Sequence, residues 1–153
     1  MSQNEGIGAS SGVSCHCTTL RKASRHLSQY YDSILAESGL KTTQRAILAQ
    51  LRRAGSLSVS HLAEALVMDR GGLAHTLKPL QRDGLISVDA DPSDGRSRLV
   101  SLTPAGREKL GESDASWSQA QQQFEQKLGK AEAATLQALL SRLVAAEFEQ
   151  DNI

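Results

Sequence analysis

The sequence predicts a mainly α-helical protein with a small β-wing: a winged helix-turn-helix whose N- and C-terminal helices form a dimerisation region. Three observations predict this fold class. Residues 57–82 contain two consecutive segments with apolar residues at helical spacing. Residues 86–102 contain two short extended segments around a charged turn. Long amphipathic segments lie on both sides of this core, which does not need them for its own completion.

The two helices of the predicted helix-turn-helix each have a start or stop signal and an apolar face. Ser58 or Ser60 can cap the first helix, because a serine hydroxyl accepts hydrogen bonds from free backbone N–H groups. Gly84 ends the second helix, whose size suits the major groove of DNA. The apolar residues are Val59, Leu62, Ala63 and Leu66 in the first helix and Leu73, Leu77 and Leu80 in the second.

A hairpin with a charged tip is predicted after the second helix. Residues 91–95 (DPSDG) form its turn, and Arg96 and Arg98 lie in or beside that turn. Arginines in this position can reach phosphates or a minor groove. A small α+β packing unit with solvated charges is the alternative, but the order of the elements together with these arginines favours a DNA-binding wing. Residues 56–58 are expected to add a very short third strand.

Four regions are expected along the chain. Residues 1–13 are small and polar, which predicts a disordered tail. Residues 14–38 predict one N-terminal dimerisation helix, with Ser14 as its cap. Residues 39–102 form the winged helix-turn-helix DNA-binding region, and residues 103–153 form the C-terminal dimerisation helices.

Cap and stop residues define the remaining helices. Thr42 or Thr43 can cap the helix that ends at Gly55. Thr103 and Pro104 suit the cap and first turn of a helix that runs to about residue 128. A last helix is expected over residues 130–149.

The terminal helices carry more apolar surface than one winged core can cover. Pairing with a second copy of the chain explains this surplus, and folding back onto the same core is the alternative. A two-fold dimer would place two recognition helices about one DNA turn apart, which suits a palindromic operator.

The charge distribution favours a nucleic-acid partner, although the formal net charge is zero. Residues 1–107 hold 13 Lys and Arg against 9 Asp and Glu, whereas residues 108–153 hold 4 against 8. Phosphate contacts need local positive charge rather than a high overall pI. No apolar run reaches the roughly 20 residues of a membrane span, no secretory signal is visible, and two cysteines do not make a disulfide scaffold. We therefore expect a cytoplasmic protein with no membrane partner.

The sequence resembles the MarR family of bacterial winged helix-turn-helix transcriptional regulators. Residues 57–86 (LSVSHLAEALVMDRGGLAHTLKPLQRDGLI) and residues 91–110 (DPSDGRSRLVSLTPAGREKL) carry the resemblance. Within the second segment, residues 94–96 match the Asp-x-Arg wing motif of the family. The resemblance extends over about residues 15–146. It implies an obligate dimer, operator binding that usually represses, and release by a small ligand or by thiol oxidation.

The resemblance assigns DNA-contacting roles to individual residues. Arg96 would enter the minor groove, and Asp94 would orient it through an ion pair. At the start of the recognition helix, Gly71 and Gly72 each cost about 1 kcal/mol of helix stability relative to alanine and offer no side chain to the bases. Arg70 is expected to contact bases or to pair with Asp69 or Glu64. The full set of expected DNA-binding residues is Arg96, Arg98, Asp94, Arg70, His75, Thr76, Lys78, Ser58 and Ser60.

Two features bear on the signal that such a regulator senses. Cys15 and Cys17 lie at a helix start, where free N–H groups and the helix dipole favour a thiolate, so thiol-based redox sensing is one interpretation. The position of Cys17 in the sequence is close to that of the reactive cysteine in the peroxide-sensing branch of the family. However, Arg21 occupies the position at which that branch has a tyrosine. Two passive thiols are the alternative.

A cleft for an aromatic or phenolic ligand is the other interpretation, with His26, Tyr30, Tyr31 and Arg45 as expected ligand-binding residues.

Other classes of function find less support in the residues. No acid–base pair, nucleophile with a base, or phosphate-binding glycine loop predicts an enzyme, so no catalytic residue and no cofactor is expected. The Cys-His-Cys segment lacks a second ligand cluster, so no metal site is expected. A winged-helix adaptor that binds another protein is an alternative from a different class. Steep salt dependence of binding to duplex DNA would distinguish the regulator from the adaptor.

Overall fold

The computed structural model describes residues 14–148, which fold into six α-helices and a three-stranded sheet. The expected fold class, mainly helical with a winged helix-turn-helix, is confirmed, and the expected tail at residues 1–13 lies outside the described residues. The elements are α1 (His16–Leu35), a 3₁₀ turn (Ala36–Ser38), α2 (Thr42–Ala54), β1 (Leu57–Ser58), α3 (Val59–Leu66), α4 (Arg70–Arg82), β2 (Ile86–Asp91), β3 (Asp94–Leu102), α5 (Pro104–Leu128) and α6 (Lys130–Ala145).

Helix α1 begins at His16, one residue later than a cap at Ser14 would place its start. Cys15, not Ser14, occupies the N-cap position, and its side chain makes no capping hydrogen bond. The last expected turn forms as a 3₁₀ turn, and Gly39 then adopts the left-handed conformation (φ 75°) that ends it. Helix α1 and this turn together therefore match the expected N-terminal helix.

Helix α2 is capped from a neighbouring helix rather than by its own threonine. Thr42 lies inside the first turn, and both its backbone N–H and its hydroxyl donate to Asp32 Oδ1 of α1 at 2.7 Å. The side chain of Gln44 accepts from the backbone N–H of Lys41, the actual N-cap residue. The expected caps Thr42 and Thr43 were therefore wrong, because a carboxylate distant in sequence satisfies the free N–H group.

The wing is an antiparallel sheet with the strand order β1-β3-β2. The expected third strand is confirmed, because Leu57 pairs with Val100 and Ser58 with Leu99. In the hairpin, Val88 pairs with Val100, and the ladder closes at Asp91 opposite Asp94. The turn between β2 and β3 is therefore tighter than expected, and Arg96 and Arg98 lie in strand β3 rather than in the turn.

The core of the lobe formed by the helix-turn-helix and the wing lies where α2, α3, α4 and the sheet meet. The apolar stripe of α4 is confirmed, since Leu73, Leu77 and Leu80 are all buried. Burial of such side chains contributes about 1.5–3 kcal/mol each, which fixes the orientation of α4 and leaves its opposite face in solvent. Buried members from the other elements are Leu40, Ile47, Leu48, Leu51, Leu62, Ala63, Ile86, Val100 and Leu110.

Helix α5 is joined to the lobe by a close backbone contact at its first turn. Thr103 caps the helix by accepting from Gly106 N at 3.0 Å, and Pro104 occupies the first turn, as expected. The Thr103 hydroxyl also donates to Gly84 O at 2.6 Å. Gly106 packs directly against the chain entering β2, where a methyl group would collide with the carbonyl oxygen of Leu85. Glycine is therefore required at residue 106 by space.

The terminal helices leave apolar side chains in solvent. All described residues before Leu27 on α1 are exposed, and α6 buries only Ala133 against this chain. Helix α6 also ends at Ala145, earlier than expected, and the expected end at residue 149 lies outside the described residues. The large exposed apolar side chains in these helices and just beyond them are Leu20, Trp117, Leu128, Leu139, Leu143, Val144 and Phe148.

Candidate nucleic-acid interface

The turn between α3 and α4 is formed without glycine. Ser58 caps α3 by accepting from the backbone N–H of His61 at 3.1 Å, which confirms one of its two expected caps. The helix then ends at Val67, which has a left-handed backbone (φ 52°) and is 73% exposed. A β-branched residue is strained in this conformation. The turn is held because Leu62, Leu73 and their neighbours fix the two helices in the core.

The N-terminus of α4 is capped by Asp69, and its second and third residues, Gly71 and Gly72, carry no side chain. The backbone N–H of Gly72 donates to Asp69 Oδ2 at 2.9 Å. A methyl group built on Gly71 or Gly72 would meet only this carboxylate within 4 Å. The surface around the first turn of α4 is therefore open for a close approach of another molecule.

Several of the expected DNA-binding side chains are already engaged within the lobe, among them Arg70 and Thr76. The Arg70 guanidinium donates to Ser60 Oγ at 2.5 Å, which links α4 to α3. The expected alternative pairing of Arg70 with Asp69 or Glu64 was wrong. The Thr76 hydroxyl donates to Gly72 O at 3.0 Å, one turn back along the same helix. A contact with a base would therefore use the remaining N–H donors of Arg70 or the acceptor lone pairs of Thr76, or would break these hydrogen bonds.

His75 and Lys78 lie on the solvent face of α4, opposite the buried leucine stripe. Within residues 14–148, neither side chain has a hydrogen-bonding or ion-pair partner. The two side chains are therefore available to a partner that covers this face.

The wing projects Arg96 and Arg98 from β3, and both are exposed. Asp94 Oδ1 accepts from the backbone N–H of Arg96 at 3.1 Å. The expected ion pair between Asp94 and the guanidinium was therefore wrong, because the carboxylate shapes the strand backbone instead. The hydroxyl and backbone N–H of Ser93 donate to Asp91 and lower the pKa of its carboxyl, which stays ionised in the turn.

A charge cluster that the sequence did not reveal connects α2 to α5. Arg45 is buried, and its guanidinium donates to Ser113 Oγ at 3.0 Å and to Asp114 Oδ1 at 2.6 Å. Arg52, two turns further along α2, donates to both oxygens of Asp114. The Trp117 ring lies over the guanidinium of Arg45, whose Cζ is 4.6 Å from the ring centroid.

Only one signal for this cluster was present in the sequence. Arg45 and Arg52 are seven residues apart and therefore share one face of α2. Nothing in the sequence places Asp114, 69 residues beyond Arg45, against that face.

The four expected ligand-binding residues do not line one described cavity. The hydroxyls of Tyr30 and Tyr31 donate to Gln123 and Gln121, so both tyrosines join α1 to α5. Burial is the main cause that raises the pKa of Tyr31. His26 is exposed, and Arg45 belongs to the charge cluster.

A cavity of about 440 Å³ lies elsewhere, between the end of α4 and the first turns of α5. Its lining includes Leu40, Gln44, Leu80, Asp83, Leu85, Glu108, Lys109 and Glu112.

Both cysteines are free and exposed at the start of α1. The Thr18 hydroxyl, followed by the backbone N–H groups of Thr18 and Cys17, lowers the pKa of the Cys15 thiol below its ordinary value of 9.0. Only Cys17 lies inside the first turn, because Cys15 is itself the N-cap residue.

In the part of the chain that the structure describes, no group of His, Cys, Asp and Glu has the arrangement of a metal site. None of the helices between residues 14 and 148 is long and apolar enough to span a membrane.

Comparison with known proteins identifies relatives along most of the chain. The model of the MarR family matches residues 40–97. A putative transcriptional regulatory protein for the hcr operon of Thauera aromatica is 30% identical over 121 residues, which cover 79% of this chain and 73% of the relative. The organic hydroperoxide resistance transcriptional regulator of Bacillus subtilis is 32% identical over 90 residues, which cover 59% of this chain and 61% of the relative.

Solved structures share the same architecture. The transcriptional regulator MosR of M. tuberculosis in complex with DNA is 31% identical with a TM-score of 0.78, and the match covers 86% of this chain and 95% of MosR. BpsR of Bordetella bronchiseptica, whose DNA binding is described as regulated by 6-hydroxynicotinic acid, is 26% identical with a TM-score of 0.80. That match covers 92% of this chain and all of BpsR, 100%.

Proposed function

We propose that this chain, which belongs to the MarR family of DNA-binding transcriptional regulators, is a homodimeric repressor that leaves a palindromic operator when a small aromatic or phenolic ligand binds. The observation that carries the proposal is the arrangement of the DNA-binding lobe. The buried leucines of α4 orient its opposite face outward, and β3 projects two exposed arginines from the adjoining wing. One face for the major groove and one tip for the neighbouring groove or phosphates are thus presented together.

Within the lobe, the proposed contacts differ in kind. His75 reads base edges in the major groove, and Lys78 binds phosphate further along α4. Arg96 enters the minor groove, and Arg98 supports it from the same strand. Ser58, as the cap of α3, accepts from the backbone N–H of His61, so its hydroxyl hydrogen remains free to donate to a phosphate oxygen.

The other residues expected at the interface act as supports in this proposal. Arg70 and Ser60 hold α3 and α4 together through their hydrogen bond. Thr76 donates to its own helix. Asp94 shapes the start of β3 through the backbone N–H of Arg96, so its removal would displace the Arg96 side chain rather than discharge an ion pair.

A second copy of the chain is proposed to cover the terminal helices. Helix α6 exposes 52% of Leu139 and 68% of Val144, and α5 exposes Trp117 and Leu128. Isolated helical segments of this length are marginal in water, so the first three turns of α1 also require packing. A symmetric dimer through these surfaces would set the spacing of the two α4 helices.

The effector is proposed to bind where α1, α2 and α5 meet. Tyr30 and Tyr31 form an edge-to-face pair with ring centroids 5.8 Å apart, and Arg45 lies on the α2 side of the same long helix. Half-buried aromatic rings suit an aromatic ligand, and Arg45, which contacts α5 at Ser113 and Asp114, is the guanidinium proposed to bind its carboxylate. His26, one turn before the tyrosines, adds a polar group. The match to BpsR supports an aromatic effector, and its effect is limited by its differential affinity for the two states of the dimer.

Thiol oxidation is the second candidate signal. The exposed thiols at the start of α1 favour it, and so does the match to the organic hydroperoxide resistance regulator. The Thr18 hydroxyl lowers the pKa of the Cys15 thiol, which makes Cys15 one candidate, while Cys17 remains the candidate from the family resemblance. A hydroperoxide would oxidise the thiolate to a sulfenic acid and would itself be reduced to the alcohol, after which a low-molecular-weight thiol forms a mixed disulfide and releases water.

Selection of duplex DNA by the full chain tests the proposal. The chain is incubated with a library of random duplexes, bound DNA is amplified, and the affinity of the enriched duplex is measured between 50 and 200 mM salt. We expect an inverted repeat, a dimeric complex, and affinity that falls by at least about tenfold across this range. Failure to enrich any duplex, or a chain that sediments as a monomer both alone and with DNA, would contradict the proposal.

The ligand part is tested on the same complex. Aromatic acids, with 6-hydroxynicotinic acid and benzoic acid as the first probes, are titrated into the protein–DNA complex. Tyr30→Phe removes one hydroxyl that joins α1 to α5 and is expected to change the concentration of ligand needed for release. If no aromatic acid at millimolar concentration changes DNA affinity, the effector proposal is wrong, while the operator proposal stands.

A further inference from the structure

We propose that Ala74 is a specificity-determining residue, whose methyl group contacts the methyl group of a thymine in each half of the operator. This inference rests on the proposed DNA binding and adds which base one position of α4 selects. It follows from the positions on the solvent face of α4 and from the side chains that occupy them.

The solvent face of α4 contains four positions at the spacing i, i+3, i+4 and i+7, namely Gly71, Ala74, His75 and Lys78, all of them exposed. The same spacing is used by the base-reading residues of a homeodomain recognition helix. The buried residues Leu73, Leu77 and Leu80 occupy the opposite side. A partner in contact with the first two turns of α4 therefore meets these positions first.

Two of the four positions carry no polar side-chain atom. Gly71 has no side chain, and Ala74 has only a methyl group. The polar side chains beside them are committed elsewhere, since Asp69 caps the helix, Arg70 donates to Ser60, and Thr76 donates to Gly72. The exposed group that remains in the first two turns, apart from the imidazole of His75, is the Ala74 methyl.

The open surface around this methyl allows close approach of the bases. Methyl groups on Gly71 and Gly72 would have nothing but the Asp69 carboxylate within 4 Å. The backbone at Gly71 and Gly72 thus has no side chain of its own between it and the major groove. In that groove thymine is the base with a methyl group, at C5, and alanine is one of the residues that contact it.

Replacement of thymine by uracil removes that methyl and leaves every hydrogen-bonding atom of the base in place. The duplex enriched from the random library is resynthesised with single uracils across one half-site, and its affinity for the natural chain is measured. We expect one thymine per half-site at which uracil weakens binding about threefold to fivefold, and about tenfold when both halves are substituted.

A variant and a matched control assign the contact to its residue. Ala74→Gly should bind thymine and uracil duplexes equally at that position. Ala46→Gly, an exposed alanine on the 13-residue helix α2, carries the same helix-propensity cost and should keep the uracil penalty. If Ala74→Gly does not fold, the uracil scan with the natural chain still overturns the inference when uracil is neutral at every thymine.

The outcomes separate this inference from the proposed function. If no duplex is enriched, the DNA-binding proposal itself fails. If a duplex is enriched but uracil is neutral at every thymine, or the penalty persists unchanged in a folded Ala74→Gly chain, the operator proposal stands and the assignment of Ala74 is overturned.

Discussion

Arg45 of α2 and Asp114 of α5 form a hydrogen-bonded ion pair of 2.6 Å that joins the DNA-binding lobe to the long C-terminal helix. The Arg45 side chain is 8% exposed, whereas that of Asp114 is 43% exposed and also binds Arg52. Burial lowers the pKa of Arg45, and Asp114 opposes this effect. The pair therefore compensates the one buried guanidinium among the described residues, and any movement of the lobe against α5 has to preserve or replace it.

Replacement of Asp114 by asparagine should destabilise the chain. The change leaves the buried Arg45 charge without its carboxylate, and we expect a loss of about 1–2 kcal/mol, less than for a fully buried pair because Asp114 is partly in water. Urea unfolding followed by circular dichroism measures it. Asp83→Asn, which removes the exposed Arg82–Asp83 pair, is the matched control and should change stability by less than about 0.5 kcal/mol. Equal effects of the two changes would refute a special role for Asp114.

The stability difference between the natural chain and Asp114→Asn should depend on pH. The pKa of Asp114 is lowered below its ordinary value of 3.8. The largest cause is the hydrogen bond from Arg52, and the positive charges of Arg52 and Arg45 add to it. A carboxyl whose pKa is lower in the folded state contributes stability above its unfolded pKa and loses it as the pH falls through the folded pKa. Urea unfolding should give a constant difference from pH 7 to about 5 and a shrinking one below 3.8. A difference that grows on acidification would contradict this assignment.

Alanine at residue 106 should weaken the junction between α5 and the wing. The new methyl would collide with Leu85 O and lie 2.8 Å from Leu102 Cδ1, so we expect a loss of about 1–3 kcal/mol from forced displacement. Gly111→Ala, on the same helix with nothing within 4 Å, is the control and should add up to about 1 kcal/mol through helix propensity. Thermal unfolding of both variants measures the contrast. A Gly106→Ala chain as stable as Gly111→Ala would show that this contact yields easily.

Replacement of Arg96 by alanine should weaken binding to the selected operator by about 1–3 kcal/mol if the side chain enters a groove. Fluorescence anisotropy at fixed salt measures the change. Arg107→Ala, which removes an exposed arginine of α5 outside the helix-turn-helix and the wing, should leave the affinity within about twofold. An effect of Arg96→Ala below a few tenths of a kcal/mol would exclude Arg96 from the interface.

Thiol sensing predicts different behaviour of the two cysteine variants. If Cys15 is the sensor, Cys15→Ser should abolish release of the operator by an organic hydroperoxide, and Cys17→Ser should retain it, because Thr18 lowers the pKa of Cys15. Gel shifts with and without hydroperoxide, followed by mass measurement of the protein, distinguish them. The reverse result would favour Cys17, and release that persists in both variants would reject thiol sensing altogether.

The sequence alone determined the helices, the wing and the face that α4 presents. The spacing of Leu73, Leu77 and Leu80 predicted the buried side of α4, and Ser58 and Thr103 predicted two helix starts. Each of these signals depends on residues within about one helical turn of one another. Helical periodicity and capping both arise from such local contacts, so the sequence alone is enough to predict them. The order of these elements resembles that of the MarR family, and this resemblance predicted a DNA-binding function.

The tertiary structure alone decided which polar side chains are free and which are engaged. Arg70 meets Ser60, Asp32 caps α2, and Arg45 finds Asp114 across 69 residues of sequence. A charged or hydroxyl side chain has several partners of similar chemistry, and only the packing of apolar residues determines which of them comes within hydrogen-bonding distance. Sequence pattern therefore identified the exposed surface of the helix-turn-helix and wing, while tertiary packing determined which groups on it remain available to a partner.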